Sequence, residues 1–204
     1  MAVRAWRRPA HEYEGYDPAG ERLRESLCTL GNGYFATRGA VPESRAGLVH
    51  CPATYVAGVY NRLESTVAGR RVVNEDLVNL PNWLLLRFRL RSADGTAGPW
   101  FSPDTRQPLD YRQSLDLRRV TLTRTFRFRD DEAGVLGVEQ VRLVHMADPH
   151  LAALRTAVTA EDYSGEIGME SVLDGDVINS NVHRTGLSTG TTWSVCGPAR
   201  PRPT

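Results

Sequence analysis

The sequence predicts an all-β fold, a sandwich or barrel of antiparallel strands, and three observations predict it. Apolar residues recur with period two, turn dipeptides separate the alternating runs, and helical stripes are almost absent. In Trp83–Arg91, Leu84, Leu86, Phe88 and Leu90 fall on one face, with Trp83, Leu85, Arg87 and Arg89 on the other. In Arg119–Arg129, Val120, Leu122, Phe126 and Phe128 alternate with Thr121, Thr123, Thr125 and Arg127, and Arg124 alone breaks the apolar face. Strict alternation is the mark of strands buried on one side.

Further strands are predicted over Thr54–Tyr60, Val135–Met146 and Leu151–Ala160, the last two joined at Ala147-Asp148-Pro149. Glu166–Leu173 and Val177–Val182 flank Asp174-Gly175, a hairpin dipeptide. One short helix is predicted over Ala19–Leu27, where Leu23 and Leu27 stand four apart after Asp17-Pro18-Ala19-Gly20. Residues Ser92–Pro108 read as loop. From Arg184 to Thr204 the alternation is lost, and a poorly packed tail is expected. The predicted organisation is one β-domain over residues 1–184 and an irregular tail over 185–204.

Composition excludes several classes of function. The 204 residues carry 25 basic and 24 acidic side chains, a formal net charge of +1. That balance gives no field for nucleic acid or an anionic membrane. Every basic residue is arginine. Cys28, Cys51 and Cys196 have no C-x-x-C spacing, so neither a disulfide framework nor a zinc site is expected. No apolar run approaches a membrane span and no secretory leader is seen, so a cytoplasmic protein is expected. His11, His50, His145, His150 and His183 are scattered, which argues for structural or solvated roles and no metal.

Carboxylates matter because glycoside chemistry uses two of them. Asp130-Asp131-Glu132, Asp174 with Asp176, and Glu161-Asp162 all sit in turn or loop contexts. The segment from Asn74 to Trp83 is richer. Amides of Asn79 and Asn82 could bond sugar hydroxyls and the Trp83 indole could stack on a sugar ring. The plainer reading is an Asn-capped turn that leads into a strand, with Trp83 packing in a core or interface.

Several of these segments together resemble glycoside hydrolase family 65. Leu30-Gly31-Asn32-Gly33-Tyr34 with Thr37-Arg38-Gly39 is similar to its opening motif, and Tyr55 to Asn61 to its Y-x-A-G-x-Y-N strand. Val78 to Trp83 resembles its NLPNW signature, and Tyr163-Ser164-Gly165 and Ser171 to Asn179 resemble two later motifs, all in order. The resemblance spans roughly Tyr13 to Arg184. It implies a large antiparallel super-sandwich of the galactose-mutarotase-like type, standing before an (α/α)6 catalytic barrel. It implies a parent enzyme, phosphorylase or hydrolase, acting on α-linked glucose disaccharides, with inorganic phosphate as co-substrate of a phosphorylase and no other cofactor. The general acid of that family is a barrel glutamate, and no position here inherits it. The expected role is a non-catalytic domain that packs on and supports the barrel, and the resemblance implies a disaccharide and a second copy, in a homodimer, as partners of the parent.

Candidate carbohydrate or domain-interface residues are therefore Asn61, Asn79, Asn82 and Trp83. After Asn181-Val182-His183-Arg184 the family pattern stops, from which a disrupted frame near Arg184 is expected; the coding DNA would show it. Two other functions compete. One is a stand-alone carbohydrate-binding module. The other is an aldose epimerase on the same fold, which needs a histidine and a carboxylate in one pocket, such as His145 or His183 with Glu139 or Glu170.

Overall fold

A computed structural model describes residues 10–91, 94–130 and 134–177. The described chain is nearly all β, with one short helix. A five-stranded antiparallel sheet forms its backbone. In spatial order it contains β1 (Ala10–Glu14), β8 (Leu109–Asp116), β9 (Thr121–Asp130), β10 (Gly134–Val144) and β11 (Ala152–Ala160). Three smaller antiparallel sheets complete the structure. They are β2 (Leu30–Gly31), β3 (Phe35–Thr37) and β4 (Thr54–Val56); β5 (Tyr60–Val67) with β6 (Arg70–Leu77); and β7 (Leu86–Arg91) with β12 (Glu166–Ser171).

The sandwich arises because alternation gives the large sheet one buried face. Its register places Phe128 opposite Leu136 and Phe126 opposite Val138. These side chains, with Tyr111, pack against Phe88 and Leu90 of β7 and against Phe101 and Tyr16. Phe88 is fully buried, and its ring lies 5.0 Å from that of Phe101 and 6.0 Å from that of Phe128. A second apolar cluster forms at the other end of the same face, from Leu115, Leu122 and Val144 against Cys28 and Leu30.

Each of the predicted runs 83–91, 119–129, 135–146, 151–160 and 166–173 yields a strand, formed over Leu86–Arg91, Thr121–Asp130, Gly134–Val144, Ala152–Ala160 and Glu166–Ser171. Thr54–Tyr60 is shorter than expected, because Ala57 and Gly58 turn the chain between β4 and β5. Beyond Asp174-Gly175 only Val177 of the expected hairpin arm has described structure, and residues 178–182 lie outside the described residues. Asp174 instead pairs with Asn82 through two backbone hydrogen bonds of 2.7 and 2.9 Å. The tail over 185–204 also lies outside the described residues.

The helix forms as α1 (Glu21–Leu27), but it faces the other way. Leu23 and Leu27, the pair that predicts it, are 64% and 52% exposed, whereas Glu21 and Glu25 are buried. Partners from outside the helix, His50 and the Cys51 amide, draw Glu25 inward. Among the described residues no helix is long and apolar enough to cross a membrane.

Truncating Phe88 to alanine removes the ring at the centre of the larger cluster. A loss of about 3–5 kcal/mol of unfolding free energy is expected, measured by urea denaturation.

Candidate functional site

The two apolar clusters are separated by a row of polar residues that crosses the buried face of the sheet. Gln113 on β8 stands opposite Arg124 on β9, Arg124 opposite Gln140 on β10, and Gln140 opposite Thr156 on β11. Arg142 follows Gln140 on the same face. Gln113, Arg124, Gln140 and Arg142 are all at least 95% buried. Arg124 is thus no flaw in the apolar pattern of its strand; it is the centre of a polar belt.

The belt holds the segment from Arg38 to Glu43 onto the sheet. Arg124 Nη2 donates to Glu43 Oε2 at 2.6 Å, and Gln140 Nε2 donates to Glu43 Oε1 at 2.8 Å. Arg142 donates from Nη1 to the Arg38 carbonyl at 2.8 Å and from Nη2 to the Ala40 carbonyl at 2.6 Å. Burial, with the charge of Arg124 close by, pulls the Arg142 pKa down to about 10, although Glu43 and Glu25 oppose this. It remains a cation at neutral pH. The belt and residues 39–42 line a small cavity of about 10 Å3, which is room for one water.

A second polar cluster lies between α1 and the loops. His50 is 2% exposed. Its Nδ1 lies 2.8 Å from Glu25 Oε1, and its Nε2 lies 3.0 Å from the Tyr16 hydroxyl and 3.3 Å from Asp104 Oδ1. Tyr16 spends its only proton on Asp104, so the His50 Nε2 must donate to the Tyr16 oxygen. Both ring nitrogens then donate, which describes an imidazolium. Burial opposes that charge, but the hydrogen bond and charge of Glu25, with Asp104 and Glu21 behind, outweigh it and raise the His50 pKa. Glu25 Oε2 also accepts from the Cys51 amide at 2.9 Å and lies 3.7 Å from Arg38. These partners turn the acidic face of α1 inward.

The four residues singled out by sequence are mostly engaged within the fold. Asn79 accepts from the Thr54 amide at 3.0 Å and donates to the Pro52 carbonyl at 3.4 Å. Asn82 accepts from the Leu84 amide at 3.1 Å. Both are buried, and the bonds described for their side chains go to backbone groups. Trp83 is half-buried beside Phe35, ring centres 6.2 Å apart, and its buried Nε1 has no hydrogen-bond partner among the described residues. Asn61 stands opposite Asp76 on the ribbon of β5 and β6. The other motif residues behave alike. Asn32 accepts from the amides of Tyr34 and Phe35 and donates to the carbonyls of His145 and Pro149. Gly39 has no room for a side chain, because a Cβ would come within 2.6 Å of the Cys28 Cβ.

The pocket needed by an epimerase is not assembled from the described candidates. Glu139 bonds Arg155, Glu170 bonds Arg87, and His145 Nδ1 accepts the Asp148 amide at 2.7 Å in its own turn. His183 lies outside the described residues. Sequence reasoning missed the belt and the His50 cluster. Only the arginine inside an apolar strand face signalled the first, and nothing local signalled the second.

Comparison with known proteins gives a family for this architecture. Residues 11–195 match the model for "Glycosyl hydrolase family 65, N-terminal domain". An uncharacterized glycosyl hydrolase of Mycobacterium tuberculosis is 51% identical over 172 residues, covering 84% of this chain and 13% of its own length. A kojibiose phosphorylase of Caldanaerobacter subterraneus is 32% identical, covering 78% of this chain and 19% of its own. A trehalose 6-phosphate phosphorylase of Lactococcus lactis is 33% identical, covering 79% and 20%. A solved structure assigned as a kojibiose phosphorylase from the human microbiome superposes with a TM-score of 0.72 at 23% identity, covering 83% of this chain and 22% of that one, and it supports the fold. The chain thus spans a fifth or less of the length of these relatives.

Two outcomes follow from the site. Glu43→Ala leaves Arg124 buried without its carboxylate, and a loss of about 3–5 kcal/mol is expected in urea denaturation. Replacing Glu43 and Arg124 together by leucine and methionine should recover most of it. For His50, the folded pKa lies above the ordinary 6.5. Its contribution is therefore complete below pH 6.5 and is lost as pH rises through the folded value. The stability advantage of the wild type over His50→Gln should be largest in mild acid and shrink above pH 6.5, and an advantage that grew with pH would contradict the charged state.

Proposed function

The chain belongs to glycosyl hydrolase family 65, of which it carries the N-terminal domain, and on that premise we propose that it is the non-catalytic sandwich of an enzyme acting on α-linked glucose disaccharides. The observation that carries this reading is the state of the buried carboxylates. Glycoside cleavage needs two carboxyl groups flanking an open sugar site. Here Glu25 is held by His50 and the Cys51 amide, Glu43 by Arg124 and Gln140, Asp174 by Arg45 at 2.6 Å, and Glu21 by Arg24 at 3.2 Å. Each buried carboxylate in the described residues neutralises a neighbour within the fold. None stands with a partner beside a cavity that would admit a sugar ring.

The chemistry then belongs to a catalytic barrel in the parent enzyme, with inorganic phosphate as attacking group if the parent is a phosphorylase. The phosphorylases among the relatives support a disaccharide substrate. The sandwich packs on that barrel and supports it. Exposed apolar side chains such as Leu23, Leu27 and Leu48 suit a surface of that kind.

The expected outcome is that this chain alone releases no glucose 1-phosphate from kojibiose, trehalose or maltose in phosphate buffer, and hydrolyses none of them. Turnover by the isolated chain would refute a non-catalytic role. Titration calorimetry with the same sugars at about millimolar concentration should show no heat, whereas saturable heat would favour a carbohydrate-binding module.

A further inference from the structure

The polar belt carries more hydrogen-bond donors than acceptors beside its cavity. That cavity, of about 10 Å3, lies between the sheet and residues 39–42, where Gln113, Arg124, Gln140 and Arg142 meet Leu122 and Leu154. The four polar side chains are at least 95% buried, yet each keeps a polar atom with no hydrogen-bond partner among the described residues. Four of these atoms are nitrogen donors: Gln113 Nε2, Arg124 Nε, Arg124 Nη1 and Arg142 Nε. Gln140 Oε1 is the one acceptor. The Gln113 amide is within reach of the Cys28 thiol, but it carries two N–H groups. A buried donor without a partner destabilises the fold, most of all on a charged group. So many donors around one small cavity require an occupant that accepts.

Charge points the same way. Two guanidiniums line the cavity and no carboxylate does. Glu43 is shared between Arg124 and Gln140, and the bonds described for Arg142 go to two carbonyls. Glu25, whose charge also reaches Arg142, is held by His50 and the Cys51 amide. Aromatic rings cover the face of Arg124, with its Cζ 4.4 Å from the ring centre of Phe126 and 5.8 Å from that of Tyr111. Its unpartnered N–H groups lie along the edge of the guanidinium plane. A buried cation of this kind is stable only when paired. We propose that the cavity binds a small monovalent anion, chloride in ordinary solution, between the Arg124 guanidinium and the Gln113 amide.

Register and size select the anion. Gln113 stands directly opposite Arg124, and Gln140 stands on the other side of Arg124. The two donor groups are therefore neighbours, and the lone acceptor Gln140 Oε1 belongs to the far side of the guanidinium. A water in this place would satisfy donors but offset no charge. A chloride ion accepts from both groups and balances the second guanidinium. The cavity has the volume of one water, and chloride is only slightly larger. Phosphate, with its tetrahedron of oxygens, is too large, so this is not a site for the phosphate of a phosphorylase. The anion joins Glu43 in holding residues 39–42 against the sheet, with one negative charge supplied by the chain and one by the solvent.

Thermal unfolding of the full chain tests this, with sodium gluconate replaced stepwise by sodium chloride so that ionic screening stays constant. The Tm is expected to rise with chloride and then level off, as binding to the folded state requires, and bromide should act in place of chloride. Gln113→Glu supplies the anion from the chain itself. Its carboxylate can still accept from the Tyr111 hydroxyl, which lies 2.9 Å from Gln113 Oε1. The Tm of that variant should no longer respond to chloride. A wild-type Tm indifferent to chloride overturns the proposal. So does a Gln113→Glu protein that responds as the wild type does, because the anion would then bind elsewhere. If the variant misfolds, crystals of the wild type grown in bromide decide. An anomalous-scattering peak bonded to Arg124 and Gln113 is expected. A peak there without anomalous signal is a water and refutes the anion, as does no peak at all.

Discussion

The buried ion pair between Glu43 and Arg124 ties a loop to the centre of the large sheet. It is completely desolvated, so it stabilises only while both partners and their secondary hydrogen bonds are in place. Those secondary bonds reach Gln140, and the neighbouring Arg142 clamps two carbonyls of the same loop. The loop from Arg38 to Glu43 is therefore positioned by charge before it is positioned by packing. Because Gly39 lies against Cys28, the placement of that loop also sets the approach of α1. The Gly39 amide donates to the Glu25 carbonyl at 2.8 Å, and Glu25 in turn orients His50. A chain of contacts thus runs from the centre of the sheet to the helix.

The same pair explains strand register. Side chains alternate with period two, so a slip of β9 by one residue would carry Arg124 to the outer face and put a threonine against Glu43. An apolar face alone penalises such a slip through lost burial. A buried charge penalises it far more, because Glu43 would be left without a partner. The large sheet has therefore two separate reasons to keep its register, and the apolar clusters on either side of the belt can be modest.

Much of the fold was legible in the sequence. Strands β7 and β9 to β12 announce themselves by alternation, since each has one face in the core. Strands β1, β5, β6 and β8 do not. In β8, Gln113 stands between Tyr111 and Leu115 at a buried position, so the apolar period is interrupted where the belt crosses. In the ribbon the side chains of β6 are nearly all exposed, and no alternation is imposed there. The helix was legible as a helix but not in orientation. Leu23 and Leu27 gave the right period, yet the partners that draw Glu25 inward are Arg38 and His50, the latter 25 residues beyond Glu25. Local pattern has no access to such distant partners.

The candidate site was legible in a different sense. The family motifs were visible as motifs, but their roles depend on what each amide and glycine touches. Asn32, Asn79 and Asn82 each bond backbone groups of their own or another segment. Asn32 ties the first hairpin to the turn after β10, Asn79 ties the NLPNW segment to β4, and Asn82 meets Asp174 at the far end of the described chain. The buried amide of Asn79 is hard to replace, because it satisfies a donor and an acceptor at once where water has no access. Motif residues in an enzyme family are readily taken for substrate contacts. In this domain they are joints between segments, and replacing them would leave backbone groups unpaired. The consequence is physical: the side-chain oxygens of Asn79 and Asn82 are held by backbone amides, and the belt with these joints keeps the segments of the sandwich in place.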